Sequence, residues 1–235
     1  MVLLGTIVNV ITIIIGTLLG LLFTNIKENY KETILQGIGL TVFIIGITMA
    51  LETTSIVIVL VSILIGAIIG EGLRIEYYVN RFATYISDLL LKKHKETNIA
   101  EGFVTATLIF VIGAMAILGA LDSGMRGDHE ILYTKSILDG FTSIVLASTL
   151  GIGVMLSAIP LFIYQGSIAL LASYIYAIVP EAILHQIITE ITAIGGILIM
   201  AIGLNMLNIT KIRITNLLPA LLVVVVILYI KPIFL

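Results

Sequence analysis

Val2-Leu3-Leu4-Gly5-Thr6-Ile7-Val8-Asn9-Val10-Ile11-Thr12-Ile13-Ile14-Ile15-Gly16-Thr17-Leu18-Leu19-Gly20-Leu21-Leu22-Phe23 contains no charged residue. A helix rises about 1.5 Å per residue and the hydrocarbon layer of a bilayer is about 30 Å thick, so about 20 such residues cross it. Ile, Leu and Val follow one another without the strict alternation of a barrel strand, and a helix satisfies its backbone polar groups within lipid. No basic residue precedes the run, and it is longer than the apolar part of a secretory signal, so it reads as a retained first span.

Seven further runs resemble it: 34–51, 55–71, 102–121, 137–158, 161–178, 183–207 and 217–234. Composition agrees. The chain is 60% hydrophobic and 11% charged, with a mean hydropathy of +1.22, whereas a soluble domain carries roughly 25% charged residues. The expected fold is an all-α, polytopic transmembrane bundle of eight spans, forming one integral membrane domain over residues 1–235. A net charge of −2 gives no electrostatic case for nucleic acid. The absence of Cys removes disulfides, thiolate metal sites and cysteine nucleophiles.

Residues 73–91 differ from the spans. Ile75, Tyr78, Val79, Phe82, Ile86, Leu89 and Leu90 recur at helical spacing, with Arg74, Asn80, Arg81, Thr84, Ser87 and Asp88 opposite. This pattern predicts an amphipathic helix on a membrane surface or against the protein. Lys92-Lys93-His94-Lys95-Glu96 follows as a solvated basic loop. With eight spans, the loops 24–33, 72–100, 159–160 and 208–216 share one side and hold nine of the twelve Lys and Arg residues. The positive-inside rule then places both termini outside. Segment 179–190 is where the count of spans is weakest.

A faint internal repeat links Ile38–Met49 with Gly195–Met206. An offset of 157 aligns Gly39 with Gly196, Ile45 with Ile202, Gly46 with Gly203 and Met49 with Met206. It pairs spans 1–3 with spans 6–8, which cross in opposite directions, as in the inverted repeats of secondary transporters. Apolar segments with a limited alphabet also match by chance. The offset brings Asn9 onto Gly166, beside Gln165.

Polar residues within spans are the candidates for chemistry. Asp139 and Ser143 lie in span 5, with Ser136, Gly140, Ala147 and Gly151 completing a small, polar stripe. Asp122 ends span 4. Asn9 lies in span 1, Gln165 in span 6, and Glu190 and Asn205 in span 7. An ionisable side chain at membrane depth costs at least about 2.5–3.5 kcal/mol, which calls for a partner or a function. Lys135 is a partner for Asp139 at i, i+4. The competing reading of the stripe is close helix packing, and that of Asn and Gln is interhelical hydrogen bonding. Glu52 and Glu71 read as boundary residues, and Glu181 with His185 as a surface pair.

No H-E-x-x-H, G-x-S-x-G or Walker A motif occurs, and no catalytic residue, cofactor or metal ligand set is indicated. Asp122 and Asp139, expected near the same outer face, leave an aspartyl dyad as the one enzymatic reading. Their flanks do not resemble the motifs of intramembrane aspartyl proteases.

Gly113-Ala114-Met115-Ala116-Ile117-Leu118-Gly119, Gly127-Asp128, Lys135-Ser136-Ile137-Leu138-Asp139-Gly140-Phe141-Thr142-Ser143 and the opening Gly5-Thr6-Ile7-Val8-Asn9 together resemble the YdfK/YqgA family of bacterial inner-membrane proteins, a domain of unknown function. The resemblance covers the whole chain and implies a multi-pass protein of the bacterial plasma membrane. It implies no substrate. The leading functional expectation is a gradient-driven transporter or ion-coupled carrier binding a small solute or ion through Asp139, Asp122, Asn9, Gln165, Glu190, Asn205 and Ser143. The alternative is a non-transporting regulatory or assembly protein. The bilayer is the implied partner, and self-association into a homo-oligomer is left open.

Overall fold

The computed structural model describes residues 1–23, 28–90 and 99–234. The basic stretch 92–96 lies outside them. Among the described residues eleven α-helices occur in the order α1 (Leu4–Leu21), α2 (Glu28–Ala50), α3 (Ile56–Leu73), α4 (Ile75–Leu90), α5 (Ile99–Val111), α6 (Ala114–Met125), α7 (Glu130–Leu150), α8 (Gly153–Leu156), α9 (Ala158–Ile178), α10 (Glu181–Met206) and α11 (Ala220–Phe234). A 3-10 turn covers Ile214–Leu217, and no strand occurs among the described residues. The protein is all-α, as composition and periodicity predict.

Every predicted span falls on a helix, with two differences. The fourth is broken: α5 and α6 meet at a 60° bend, where Gly113 takes φ 133°. A side chain is strongly disfavoured there, so glycine is what lets the chain turn. The fifth, predicted over 137–158, instead begins at Glu130 and ends at Leu150, where Gly151 at φ 72° stops it. Asp128 Oδ1 accepts the backbone N–H of Glu130 at 3.0 Å. This satisfies an orphan donor at the start of α7 and gives the Gly127-Asp128 pair a local role. Asp139 is therefore near the middle of its helix, not near the start as predicted.

Among the described residues five helices are long and apolar enough to cross a bilayer, or six if the bent α5–α6 pair counts as one. α7 and α11 are not among them. α7 carries Glu130, Lys135 and Asp139, and α11 is 15 residues long. The amphipathic segment forms α4 and leaves Tyr77, Tyr78, Phe82 and Tyr85 exposed.

The chain divides into two compact units, Met1–Ile34 with Phe82–Ile178, and Leu35–Arg81 with Val179–Leu235. In the first, α1 lies along α7 in the same direction. Gly5 meets Leu132, Gly16 meets Gly140 and Ser143, and Gly20 meets Ile144 and Ala147, each too close for a side chain. In the second, α2 and α10 cross antiparallel: Gly39 meets Gly203 and Gly46 meets Gly196. α3 and α11 are antiparallel too, through Gly66 on Ala220 and Gly70 on Asn216. Small residues bring backbones together where lipid supplies no hydrophobic drive between helices.

Both units are apolar outside. On α3, Ile56, Val57, Leu60, Val61, Leu64, Ile65, Ile68 and Ile69 are all exposed, while Val59, Ser62, Gly66 and Gly70 form the buried seam. Burying a side chain of this kind contributes roughly 1.5–3 kcal/mol in water. Eight left in water would forgo an amount comparable to the ~5–15 kcal/mol stability of a whole domain, so lipid is the solvent consistent with this face. Exposed hydroxyls are matched within their own helices: Thr41, Thr142 and Ser167 donate to the carbonyls of Gly37, Leu138 and Ile163. That removes their need for water.

Candidate functional site

The first unit buries its charges. α7 turns Ile137, Leu138, Phe141 and Val145 outward and Lys135, Ser136, Asp139 and Ser143 inward. Lys135 and Asp139 are separated by four residues, so they stand on one face of the helix. Lys135 Nζ donates to both carboxylate oxygens of Asp139, at 2.9 Å to Oδ1 and 2.7 Å to Oδ2. Both side chains are 8% exposed. The pair thus exchanges hydration for a short, two-point contact, which offsets part of a desolvation cost of several kcal/mol per ion.

Two further helices complete the cluster. Asn9 of α1 donates from Nδ2 to Asp139 Oδ2 at 3.0 Å and stands 3.5 Å from Oε1 of Gln165 on α9. Asn9 and Gln165 are both fully buried. The close approach of α1 and α7, built on Gly5, Gly16 and Gly20, is what brings Asn9 to Asp139. Ser143 lies one turn further along α7, and its hydroxyl donates to the Asp139 carbonyl at 2.7 Å. Its bonding is to the backbone, so it adds no donor to the cluster.

The cluster is incompletely matched. Asn9 Oδ1 and Gln165 Nε2 are buried and have no hydrogen-bond partner. They are one acceptor and one donor, on the two amides that adjoin the ion pair. Leaving such a group unmatched costs about 1–3 kcal/mol. Lys135 also has a third N–H beyond the two directed at Asp139. A solute offering both an acceptor and a donor matches this arrangement.

The remaining candidates lie elsewhere. Asp122 is near the end of α6, 3.9 Å from Arg126, with no hydrogen bond to Asp139 among the described residues. Its neighbour Ser123 donates to the carbonyl of Val2 at 2.7 Å and is 2.8 Å from His129 Nδ1. Glu190 belongs to the second unit. Its Oε1 accepts from Thr54 N at 2.9 Å, Thr54 Oγ1 at 2.7 Å and Ser55 N at 3.1 Å, and its Oε2 accepts from Thr53 Oγ1 at 2.6 Å. The carboxylate caps the start of α3 from a different helix, where the N-terminal dipole favours negative charge. Asn205 fastens the loop after α10: Nδ2 donates to the Ile212 carbonyl at 2.8 Å, and Oδ1 accepts from Ile212 N at 2.9 Å and Thr210 Oγ1 at 2.8 Å.

Sequence reasoning named Glu190 but missed Thr53, Thr54 and Ser55. The available signal was three cap-forming residues immediately before the apolar run of α3. Glu71 is more than a boundary residue, since it accepts from Arg213 Nη1 at 2.6 Å and Asn216 Nδ2 at 2.7 Å. Glu181 and His185 are an exposed pair at 3.8 Å, as their spacing predicts. No group of three or more His, Asp or Glu placed to hold a metal occurs among the described residues.

The chain is 38% identical to "Uncharacterized membrane protein YdfK" of Bacillus subtilis (strain 168) over 231 residues, 96% of each chain. It is 31% identical to "Uncharacterized protein YqgA" of Escherichia coli (strain K12) over 222 residues, 93% of each chain. No solved structure matches. The model of the family described as "Protein of unknown function (DUF554)" matches residues 4–229. The chain is a membrane protein with several apolar helices, and it belongs to the DUF554 family.

Proposed function

We propose that this protein is a gradient-driven carrier of a small polar solute, with Asn9, Lys135, Asp139 and Gln165 as its binding site. The observation that carries the reading is the pair of unmatched amide atoms beside a buried ion pair halfway along α7. Asp139 is 9 residues from one end of α7 and 11 from the other, roughly 14–16 Å along the axis, which is midplane depth for a spanning helix. Intramembrane ionisable groups at that depth commonly line solute or proton paths. Lys135 already occupies the position a metal cation would take on Asp139. A proton on Asp139, releasing Lys135 for the solute, is therefore the favoured coupling.

Two further observations support the architecture. An offset of 157 carries the contact of Gly39 with Gly203 into that of Gly46 with Gly196. This is the relation a pseudo-two-fold axis between α2 and α10 requires, and it favours the inverted repeat. The directions of the helix pairs favour eight crossings: α1 with α7 parallel, α2 with α10 and α3 with α11 antiparallel. All three relations hold if α5–α6 is one bent span, α7 another, α8 with α9 a third, and α4 lies on the surface. The excess of Lys and Arg in the loops then puts both termini outside a bacterial plasma membrane.

The test is proton uptake into pH-dye-loaded proteoliposomes under an imposed pH gradient, with a broad panel of small polar solutes added in turn. The reading expects at least one solute to accelerate uptake for wild type and not for Asp139→Asn. Equal responses of the two proteins across the panel would overturn it. A second reading has its own support: Lys135 contacts both oxygens of Asp139, as it would in a purely structural clasp of a regulatory or assembly protein.

A further inference from the structure

The second unit carries a polar pocket of about 410 Å³ lined by Glu71, Arg74, Glu76, Tyr77, Asn80, Arg213 and Asn216. It sits where the apolar run of α3 ends and the amphipathic α4 begins. Tyr77 lines it, and both Tyr77 and its neighbour Tyr78 are exposed; tyrosines of this kind favour the headgroup layer of a bilayer. The four charged residues of the lining are not equivalent. Glu71 and Arg213 neutralise each other at 2.6 Å, and Asn216 adds a bond to Glu71. Arg74 is exposed and has no ion pair among the described residues. Glu76 keeps one carboxylate oxygen without a hydrogen-bond partner. Arg74 thus offers an exposed cation, and Glu76 a buried, unmatched carboxylate oxygen, on the same pocket wall.

From these two unpaired charges at headgroup depth, the geometry points to a binding site for a phosphoethanolamine zwitterion carried by a phospholipid. Arg74 receives the phosphate through its fork of N–H donors, and Glu76 accepts from the primary ammonium. Two opposite charges in one pocket select against a purely anionic headgroup, because Glu76 repels it. They also select against a choline headgroup, whose quaternary nitrogen has no N–H to donate. Attachment to a lipid follows from position: α3 delivers the pocket to the end of its apolar length, and α4 lies beside it with aromatic side chains exposed. This site is independent of the cluster in the first unit.

The experiment is native mass spectrometry of the full-length protein with short-chain phosphatidylethanolamine, phosphatidylglycerol and phosphatidylcholine, and with soluble phosphoethanolamine. One charge-assisted hydrogen bond corresponds to about tenfold or more in affinity, so phosphatidylethanolamine is expected to bind about tenfold tighter than either other lipid. Glu76→Gln should abolish that preference, and Arg74→Gln should weaken all three lipids, which share the phosphate, while both leave the unfolding midpoint near wild type. Glu76→Gln should in addition raise binding of phosphatidylglycerol relative to phosphatidylethanolamine. Equal binding of all three lipids, a preference unchanged in Glu76→Gln, or lipid binding unchanged in Arg74→Gln would overturn the site. Soluble phosphoethanolamine binding as tightly as the lipid would overturn the lipid attachment.

Discussion

The two units each bury a carboxylate, and they satisfy it in different ways. Glu190 in the second unit is met by two hydroxyls and two backbone N–H groups at the start of α3, so both its oxygens are bonded to fixed donors. Asp139 in the first unit is met by an ammonium on a flexible stem and by one amide, and the adjoining amides stay partly unmatched. The first arrangement is a rigid cap with nothing left to bind. The second has a partner that can move and groups that are unanswered. Burial of charge alone therefore does not mark a functional site; what surrounds the charge decides, and the contrast gives Glu190 a structural part and leaves Asp139 as the candidate for the proposed solute binding.

The largest expected effect breaks the ion pair from one side. Lys135→Met leaves Asp139 buried without its cation, and removal of one partner of such a pair costs about 3–5 kcal/mol. The unfolding midpoint in detergent should fall accordingly. A fall below about 1 kcal/mol would mean that Asp139 is hydrated or neutral, and the contrast with Glu190 would need redrawing. Next comes Glu190→Gln, which replaces one acceptor oxygen with a donor facing other donors. Bonds to a charged group contribute about 1.5–3 kcal/mol, so unfolding should shift by that amount with no change in solute-dependent proton uptake. A flux defect at normal stability would move Glu190 from the structural to the functional side. Smaller still is Asn9→Leu, which gives up one bond to Asp139 and also removes an unmatched oxygen. Interhelical bonds in membranes average about 0.6 kcal/mol, and the measured destabilisation should stay near or below that, while proton uptake is lost.

The sequence made the bundle legible because a continuous apolar run has one structural solution in lipid. It also made the Lys135–Asp139 pair legible, since i, i+4 spacing on a helix is local. The extent of α7 was not legible. Glu130, Tyr133, Thr134 and Lys135 read as loop, because hydropathy averages over a helix and cannot see that Lys135 and Asp139 face inward. The meeting of Asn9 with Gln165 was approached only through the faint repeat. The receptors of Glu190 were missed because they are 135–137 residues away, and no local pattern states which acid a distant Thr-Thr-Ser cap will meet. Gly113 was noticed as a small residue in a motif, but the bend it permits depends on φ, which composition does not encode.

On the proposed reading the fold does not depend on the buried pair, whose part is to bind and couple. The most direct test is the unfolding free energy of the double variant Lys135→Met with Asp139→Leu. Apolar replacement of a whole buried ion pair is often neutral or stabilising by about 1–4 kcal/mol, and here it also relieves the helix of two charges at membrane depth. The account predicts a double variant at least as stable as wild type, in contrast to the loss in Lys135→Met alone. A double variant less stable than wild type by about 3 kcal/mol or more would show that the pair clasps α1, α7 and α9 together, and the structural reading would replace this one.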